Sequence, residues 1–181
     1  IADRQDAAAK WQGEAGKCVA VCGSCAAATR AQIAAHKAAG QPVLALDSEA
    51  VIAGEYGISD ALAWAEAVLA KTPEAIPLIY SSADPEAVRT IREKYGRALA
   101  AEAFESFFGA LATALVNDLV SRLIVAGGET SGAVVEALAL PSLIIGPEID
   151  PGVPALRGSP SLTLALKSGN FGAEDFFVKA A

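Results

Sequence analysis

Short apolar runs rich in β-branched residues alternate along this chain with alanine-rich segments of helical spacing, and that alternation is what most restricts its fold. Lys17 to Cys22 reads as a strand leading into Gly23-Ser24, then a helix from Ala26 to Ala39 stopped by Gly40. Pro42 to Leu46 is a second strand ending at Asp47-Ser48. Asp60 to Ala70 is a helix with Asp60 as its cap and an apolar stripe through Leu62, Ala65 and Leu69. Pro77 to Tyr80 is a third strand. It is followed by Ser81 and Ser82, and by a helix that Asp84 can cap, that Pro85 can begin and that reaches Tyr95. After the break at Gly96 comes the longest helical segment, Ala98 to Leu119. In it Phe104, Phe107, Phe108, Leu111, Leu115 and Leu119 recur at three- and four-residue steps, the spacing of a core-facing stripe rather than a cofactor box. Strands at Leu123 to Ala126, Ser142 to Ile145 and Leu162 to Leu166 complete the series. Between them lie a helix from about Ala133 and a Pro/Gly-rich loop through Pro154.

Strands alternating with helices predict an α/β fold: a mainly parallel sheet flanked by crossover helices. No long shift in composition marks a second domain, and 181 residues suit one domain that buries roughly 70% of its unfolded surface. Ligands of such sheets sit beyond the carboxyl ends of the strands. The polar loops expected there are Gly23-Ser24, Asp47-Ser48, Ser81-Ser82, Gly127 to Thr130, Gly146-Pro147-Glu148 and Lys167 to Asn170.

Among these, Ala126-Gly127-Gly128-Glu129-Thr130-Ser131-Gly132 stands between a strand and a helix. Paired glycines allow positive φ and close approach of the backbone. Thr130, Ser131 and the amides of a helix's first turn can donate to an anion. The segment has neither the Gly-Lys-Ser/Thr ending of a Walker loop nor G-x-G-x-x-G spacing, so on the residues alone a tight strand-to-helix turn capped by Ser or Thr is the simpler explanation.

Charge and cysteines narrow the function. The 14 basic and 21 acidic residues leave a net charge of −7, without a basic cluster interleaved with aromatics, so nucleic acid is not an expected partner. A small anion such as ATP remains compatible, because a few local amides and a metal ion hold it. No apolar run approaches the ~20 residues of a spanning helix, so no membrane partner is expected. Cys18, Cys22 and Cys25 crowd one segment, with His36 as the single imidazole. They read as small buried thiols of a reducing cytoplasm, short of a zinc ligand set. The chain has no Met and begins at Ile1, which suggests a fragment of a longer polypeptide. Apolar helix faces, if exposed, would favour a homodimer.

Four motifs occur in order: VCGSCAAATRAQIAAH (Val21 to His36), VAGGETSGAVVEAL (Val125 to Leu138), IGPEIDPGVP (Ile145 to Pro154) and LALKSGNFGAEDFF (Leu164 to Phe177). Together they resemble the nucleotide-binding C-terminal domain of the four-carbon acid sugar kinases, and the last is most similar to the 3-oxo-tetronate kinases of that family. The resemblance implies a two-domain enzyme in which an absent N-terminal domain binds the acid sugar and this domain binds ATP with Mg²⁺. The terminal hydroxyl, most simply that of 3-oxo-tetronate, would receive the γ-phosphoryl group to give the 4-phosphate. Threonate or erythronate as substrate, or a non-catalytic nucleotide-binding regulatory module, are the alternatives. The matching nucleotide-contact positions are Ser24, Gly127, Gly128, Glu129, Thr130 and Gly169. This sequence departs from the family at Ala26, where many members carry Ser. Glu129 is implied either as a water-mediated Mg²⁺ contact or as a capping carboxylate. Lys167 could neutralise phosphate charge, although a solvated strand-end lysine is the simpler expectation. His36 is expected to be a surface or packing residue, Asp47 and Asp150 are loop carboxylates or turn formers, and no catalytic base is assigned.

Overall fold

The computed structural model of the chain describes Trp11, residues 13–81 and residues 85–181. Its elements in chain order are β1 (Cys18–Cys22), α1 (Ala27–Ala38), β2 (Val43–Ala45), α2 (Ser48–Ala53), α3 (Ile58–Lys71), β3 (Leu78–Tyr80), α4 (Pro85–Tyr95) and α5 (Arg97–Asp118). Then follow β4 (Arg122–Ala126), α6 (Gly128–Ala137), β5 (Ile144–Asp150), β6 (Val153–Ser159), β7 (Leu162–Lys167) and α7 (Phe176–Lys179). The strands form one seven-stranded sheet in the order β2-β3-β1-β4-β7-β6-β5. The pairs from β2 through β7 in that order are parallel, while β7-β6 and β6-β5 are antiparallel. The expected mainly parallel α/β architecture is therefore present, with an antiparallel ribbon on one side.

The two-residue periodicity of the strands sorts the core into two layers. Val19 and Val21 of β1, with Ile79, Leu123, Val125 and Leu164, pack beneath Val51 of α2, Ala61, Ala65 and Leu69 of α3, the Phe107-Phe108-Leu111-Leu115 face of α5 and Val134 of α6. Cys18, Ala20 and Cys22 alternate to the other face, with Leu78, Ile124 and Ala165. They meet Ile33 of α1 and Phe176-Phe177 of α7. Central β1 is buried along its whole length, which is why it reads as a continuous apolar run. Truncating fully buried Leu111 or Leu115 to Ala would cost about 2–5 kcal/mol. Among the described residues α5 alone has the length and composition of a spanning segment, but its apolar face lies in this core.

Several boundaries differ from expectation for local reasons. Asp60 is not the cap of α3 but its third residue. Gly57 is the N-cap, and its N–H donates to Asp60 Oδ2 at 2.9 Å. Asp47 is instead the N-cap of the unexpected short helix α2, accepting from the Glu49 and Ala50 amides. Helix α6 starts at Gly128, five residues before Ala133, because Gly127 can take φ 125° at its N-cap and need not leave a flexible loop. The Gly146-Pro147-Glu148 segment is not a ligand-side loop. It lies inside edge strand β5, where the register shift between Ile145 and Glu148 accommodates the missing proline donor. Strand β6, rich in Pro and Gly, had no strand signal of its own. The Ser82 turn and the Asp84 cap lie outside the described residues.

Candidate functional site

The site is built where the parallel strands end. One backbone bond continues the ladder past each strand: Leu46 N–H to Tyr80 O at 2.8 Å, Ser81 N–H to Cys22 O at 3.0 Å, Gly23 N–H to Ala126 O at 3.1 Å and Gly127 N–H to Lys167 O at 2.9 Å. The loops after β2, β3, β1, β4 and β7 thus leave the sheet at one level. From β1 the chain turns to α1 on one face. From β4 it turns to α6 on the other, so a crevice opens between Gly23-Ser24 and Gly127-Gly128.

Glycines line this crevice because side chains would not fit. A Cβ on Gly23 would lie 2.3 Å from Thr130 Oγ1, and one on Gly127 would lie 2.9 Å from the same oxygen and 3.2 Å from the Ser24 nitrogen. A Cβ on Gly169 would lie 2.6 Å from Ser24 Oγ and 2.9 Å from Ala26 Cβ. Gly128 differs, since a Cβ there would meet nothing within 4 Å. Its open side lies at the N-terminus of α6, where no side chain caps the helix and the ladder begins only with Ser131 N–H to Gly127 O at 2.8 Å. The amides of Gly128, Glu129 and Thr130 therefore form the positive end of a helix at the crevice. Ser131 does not join them: its hydroxyl oxygen is buried without a hydrogen-bond partner among the described residues.

A polar network joins the β1 and β7 loops. Ser24 Oγ accepts from the Ala26 N–H at 3.3 Å and lies 3.1 Å from Thr29 Oγ1, which donates to the Gly169 carbonyl at 2.7 Å. Lys167 Nζ reaches Thr29 Oγ1 at 3.1 Å and the Ser168 and Gly169 carbonyls at 3.3 Å each. Lys167 is 1% exposed, so the expectation of a solvated strand-end lysine is wrong: its position on the inner side of β7 turns it under the 168–170 loop. Burial holds its pKa below the usual lysine range, with a smaller opposing effect of Cys22. Burial also pushes the Cys18 and Cys22 thiols up to about 12, so they stay protonated and unreactive near neutrality.

Beside the crevice lies a cleft of about 450 Å³. Gly23, Cys25, Glu129 and Thr130 form one end and Asp47, Ser48 and Glu49 another. Val88 and Ile91 of α4, with Ala101 and Phe104 of α5, form an apolar wall. Phe104, expected in the core stripe, is thus shared between core and cleft. Glu129 is exposed at the head of α6, while Asp47 is occupied in capping α2.

The structure brings Ser24, Gly127, Gly128, Glu129, Thr130 and Gly169 to one place. The other candidates are elsewhere or serve the scaffold. His36 is a packing residue, with Nε2 2.8 Å from the Ile76 carbonyl and its ring edge-on to Phe177. Asp150 is buried, accepts from the Ala173 N–H at 2.9 Å and pairs with Lys179. Two residues that shape the site escaped sequence reasoning. Thr29 and Gln32 are buried polar residues of α1, and Gln32 Nε2 lies within 3.0 Å of the carbonyls of Phe171, Gly172 and Ala173. The signal was the polar 29-32-36 stripe at helical spacing, which looks solvent-facing in isolation.

A sequence profile described as the nucleotide-binding C-terminal domain matches residues 19–177. The chain is 48% identical over 167 residues to a 3-oxo-tetronate kinase of Brucella melitensis, covering 91% of this chain and 37% of that protein. It is 48% identical over 181 residues to a 3-oxo-tetronate kinase of Methylobacterium radiotolerans, covering 97% and 42% respectively. A crystal structure of a Haemophilus influenzae protein superposes with a TM-score of 0.84 at 36% identity, over 94% of this chain and 41% of that one. The chain thus spans about two fifths of the length of these relatives. With a profile match across nearly the whole sheet and the crevice at its centre, the chain belongs to the family of nucleotide-binding C-terminal domains.

Proposed function

We propose that this chain is the ATP-binding half of a two-domain kinase that phosphorylates the terminal hydroxyl of a four-carbon acid sugar, 3-oxo-tetronate. The observation that carries the reading is the meeting of the Ser24, Gly127-Gly128 and Gly169 turns around an uncapped helix N-terminus. Phosphoryl transfer needs positioning and charge stabilisation, which such amides supply on the donor side. The α6 amides and the Thr130 hydroxyl hold phosphate oxygens. Ser24 hydrogen-bonds the nucleotide, and Gly169 lets the last loop come close. The relatives named as 3-oxo-tetronate kinases support the substrate, and the remainder of their length supports a separate substrate-binding domain.

The residues present fit Mg²⁺ in its usual manner at such sites, with one or two carboxylates, water and substrate phosphates. Among the described residues no group of three potential ligands is assembled, and exposed Glu129 is the carboxylate beside the helix amides. Mg²⁺ bound there would neutralise charge on the phosphate oxygens. The free thiols Cys18, Cys22 and Cys25 suit a reducing cytoplasm. Exposed Ile144 and Ile145 on edge strand β5 offer apolar surface to the substrate domain or a second copy.

Calorimetry with ATP on this chain and on Gly128→Asp and Thr130→Ala tests the site. Both variants should keep the fold and lose at least about tenfold in affinity, and unchanged binding rejects the assignment. Coupled assay of ADP release by the polypeptide with its substrate domain, offered 3-oxo-tetronate, threonate and erythronate, tests the reaction. ATP binding with no acid-dependent ADP release would leave a regulatory nucleotide-binding module.

A further inference from the structure

We propose that Lys167 is the internal counter-cation and positioning residue of the polyphosphate site: it tethers the Gly169 loop to α1 and Ser24, and its charge is balanced by the bound ligand rather than by a protein carboxylate. The inference rests on the nucleotide reading above. It starts from an imbalance. Fully buried lysines almost always have an anionic partner, because an unpaired charge taken out of water is strongly destabilising. Lys167 has three ammonium hydrogens and three acceptors, the Thr29 hydroxyl and the Ser168 and Gly169 carbonyls, all neutral. The Phe176 ring 5.8 Å away adds a weak π contact.

Among the described residues, no carboxylate is resolved as a charge neighbour of Lys167. The one electrostatic neighbour resolved for Lys167 is the Cys22 thiol, protonated at neutral pH. The ionisable groups of α1 are Arg30, which donates to the Cys25 carbonyl, His36, whose pKa burial lowers, and exposed Lys37, none of them an anion. Asp150 and Asp175 are both engaged by Lys179 at the far end of the 168–175 loop. What Lys167 does touch is the edge of the crevice. Its acceptor Gly169 O is also the acceptor of Thr29, and Thr29 Oγ1 in turn lies against Ser24 Oγ. A cation fixed beneath two ligand-facing positions, in surroundings of low dielectric, is attracted to a polyanion more strongly than a solvated lysine would be. A ligand of that charge completes the pair and favours the ammonium form.

The role differs from a merely structural tether in its dependence on ligand charge. Lys167→Met keeps the side-chain length and removes the charge. Calorimetry of wild type and this variant with adenosine, AMP, ADP, ATP and inorganic tripolyphosphate should show a loss that grows with phosphate number, at least about tenfold for ATP and little for adenosine. In wild type at alkaline pH, ATP binding measured in two buffers of different ionisation enthalpy should be accompanied by proton uptake that is absent from Lys167→Met. A folded Lys167→Met that binds ATP as wild type does, or loses the same factor for adenosine as for ATP, overturns the proposal. Should that variant not fold, Thr29→Val and Thr29→Ser decide together with wild-type proton uptake. Loss of ATP affinity in Val, recovery in Ser and uptake in wild type support the role, whereas absence of uptake throughout pH 8–10 overturns it. Wild type that binds neither ATP nor tripolyphosphate would defeat the nucleotide reading itself. ATP bound equally well with and without Lys167 defeats this inference alone.

Discussion

The Thr29 hydroxyl donates to the carbonyl of Gly169, 140 positions later, across 2.7 Å. This bond ties the first helix after β1 to the loop after β7, so the two edges of the crevice keep a fixed spacing. The same side of α1 continues with Gln32 facing the carbonyls of residues 171–173 and with His36 on the Ile76 carbonyl. The buried stripe of α1 is polar because what it packs against is backbone of a loop and a strand start, whose carbonyls need donors.

Gly23→Ala should be destabilising by about 1–3 kcal/mol, the usual range for overpacking, since its Cβ would meet Thr130 Oγ1 at 2.3 Å and Phe108 Cε2 at 3.3 Å. ATP affinity should fall with it. Thermal denaturation of Gly23→Ala with and without Thr130→Ala checks the cause: removing the hydroxyl should recover part of the stability. No recovery would place the strain in the backbone instead.

Gln32→Leu leaves three carbonyls without their shared side-chain donor while preserving volume. A stability loss of about 1–3 kcal/mol is expected. Hydrogen exchange should accelerate in residues 168–175 before it does in β1 or β4. Uniform acceleration across the sheet would show that the loop is not held locally.

His36 is the single histidine, and burial lowers its pKa while the Ile76 carbonyl opposes the shift. Below about pH 6.5 the unfolded chain takes up a proton that folded His36 resists, so stability present above that value is lost as pH falls. The urea midpoint should decline on going from pH 7 to 5.5, and His36→Gln should flatten that decline. An unchanged slope in the variant would assign the acid sensitivity to carboxylates.

The alkaline limb has the opposite origin. Unfolded thiols ionise above about pH 9, whereas Cys18 and Cys22 are raised to about 12 in the fold, so their contribution is complete below 9 and is lost as pH rises. Lys167 acts in the reverse sense, because its lowered pKa makes the folded state gain relative to the unfolded one as pH approaches 10.5. Denaturation from pH 8 to 10.5 should show a fall in stability that Cys18→Ala with Cys22→Ala reduces and Lys167→Met steepens.

Sequence periodicity alone determined the parallel half of the sheet. Cys18–Cys22, Leu78–Tyr80 and Arg122–Ala126 are apolar runs bounded by turn residues, and α1 and α5 have helical spacing throughout. It also pointed to the glycine turns, because glycines following strand ends report a need for close approach that holds in any context. Three things were decided only by tertiary structure. The first is the β5-β6 ribbon: Pro147, Gly152, Pro154 and Gly158 weaken every local strand signal, and pairing with β7 supplies what the residues themselves lack. The second is the start of α6 at Gly128, fixed by the Gly127 bond to Lys167 on a strand that comes much later. The third is the burial of Thr29, Gln32 and Lys167. Polar residues look solvated in sequence because their partners, the carbonyls of residues 168 to 173, are brought to them only when β7 docks beside β4.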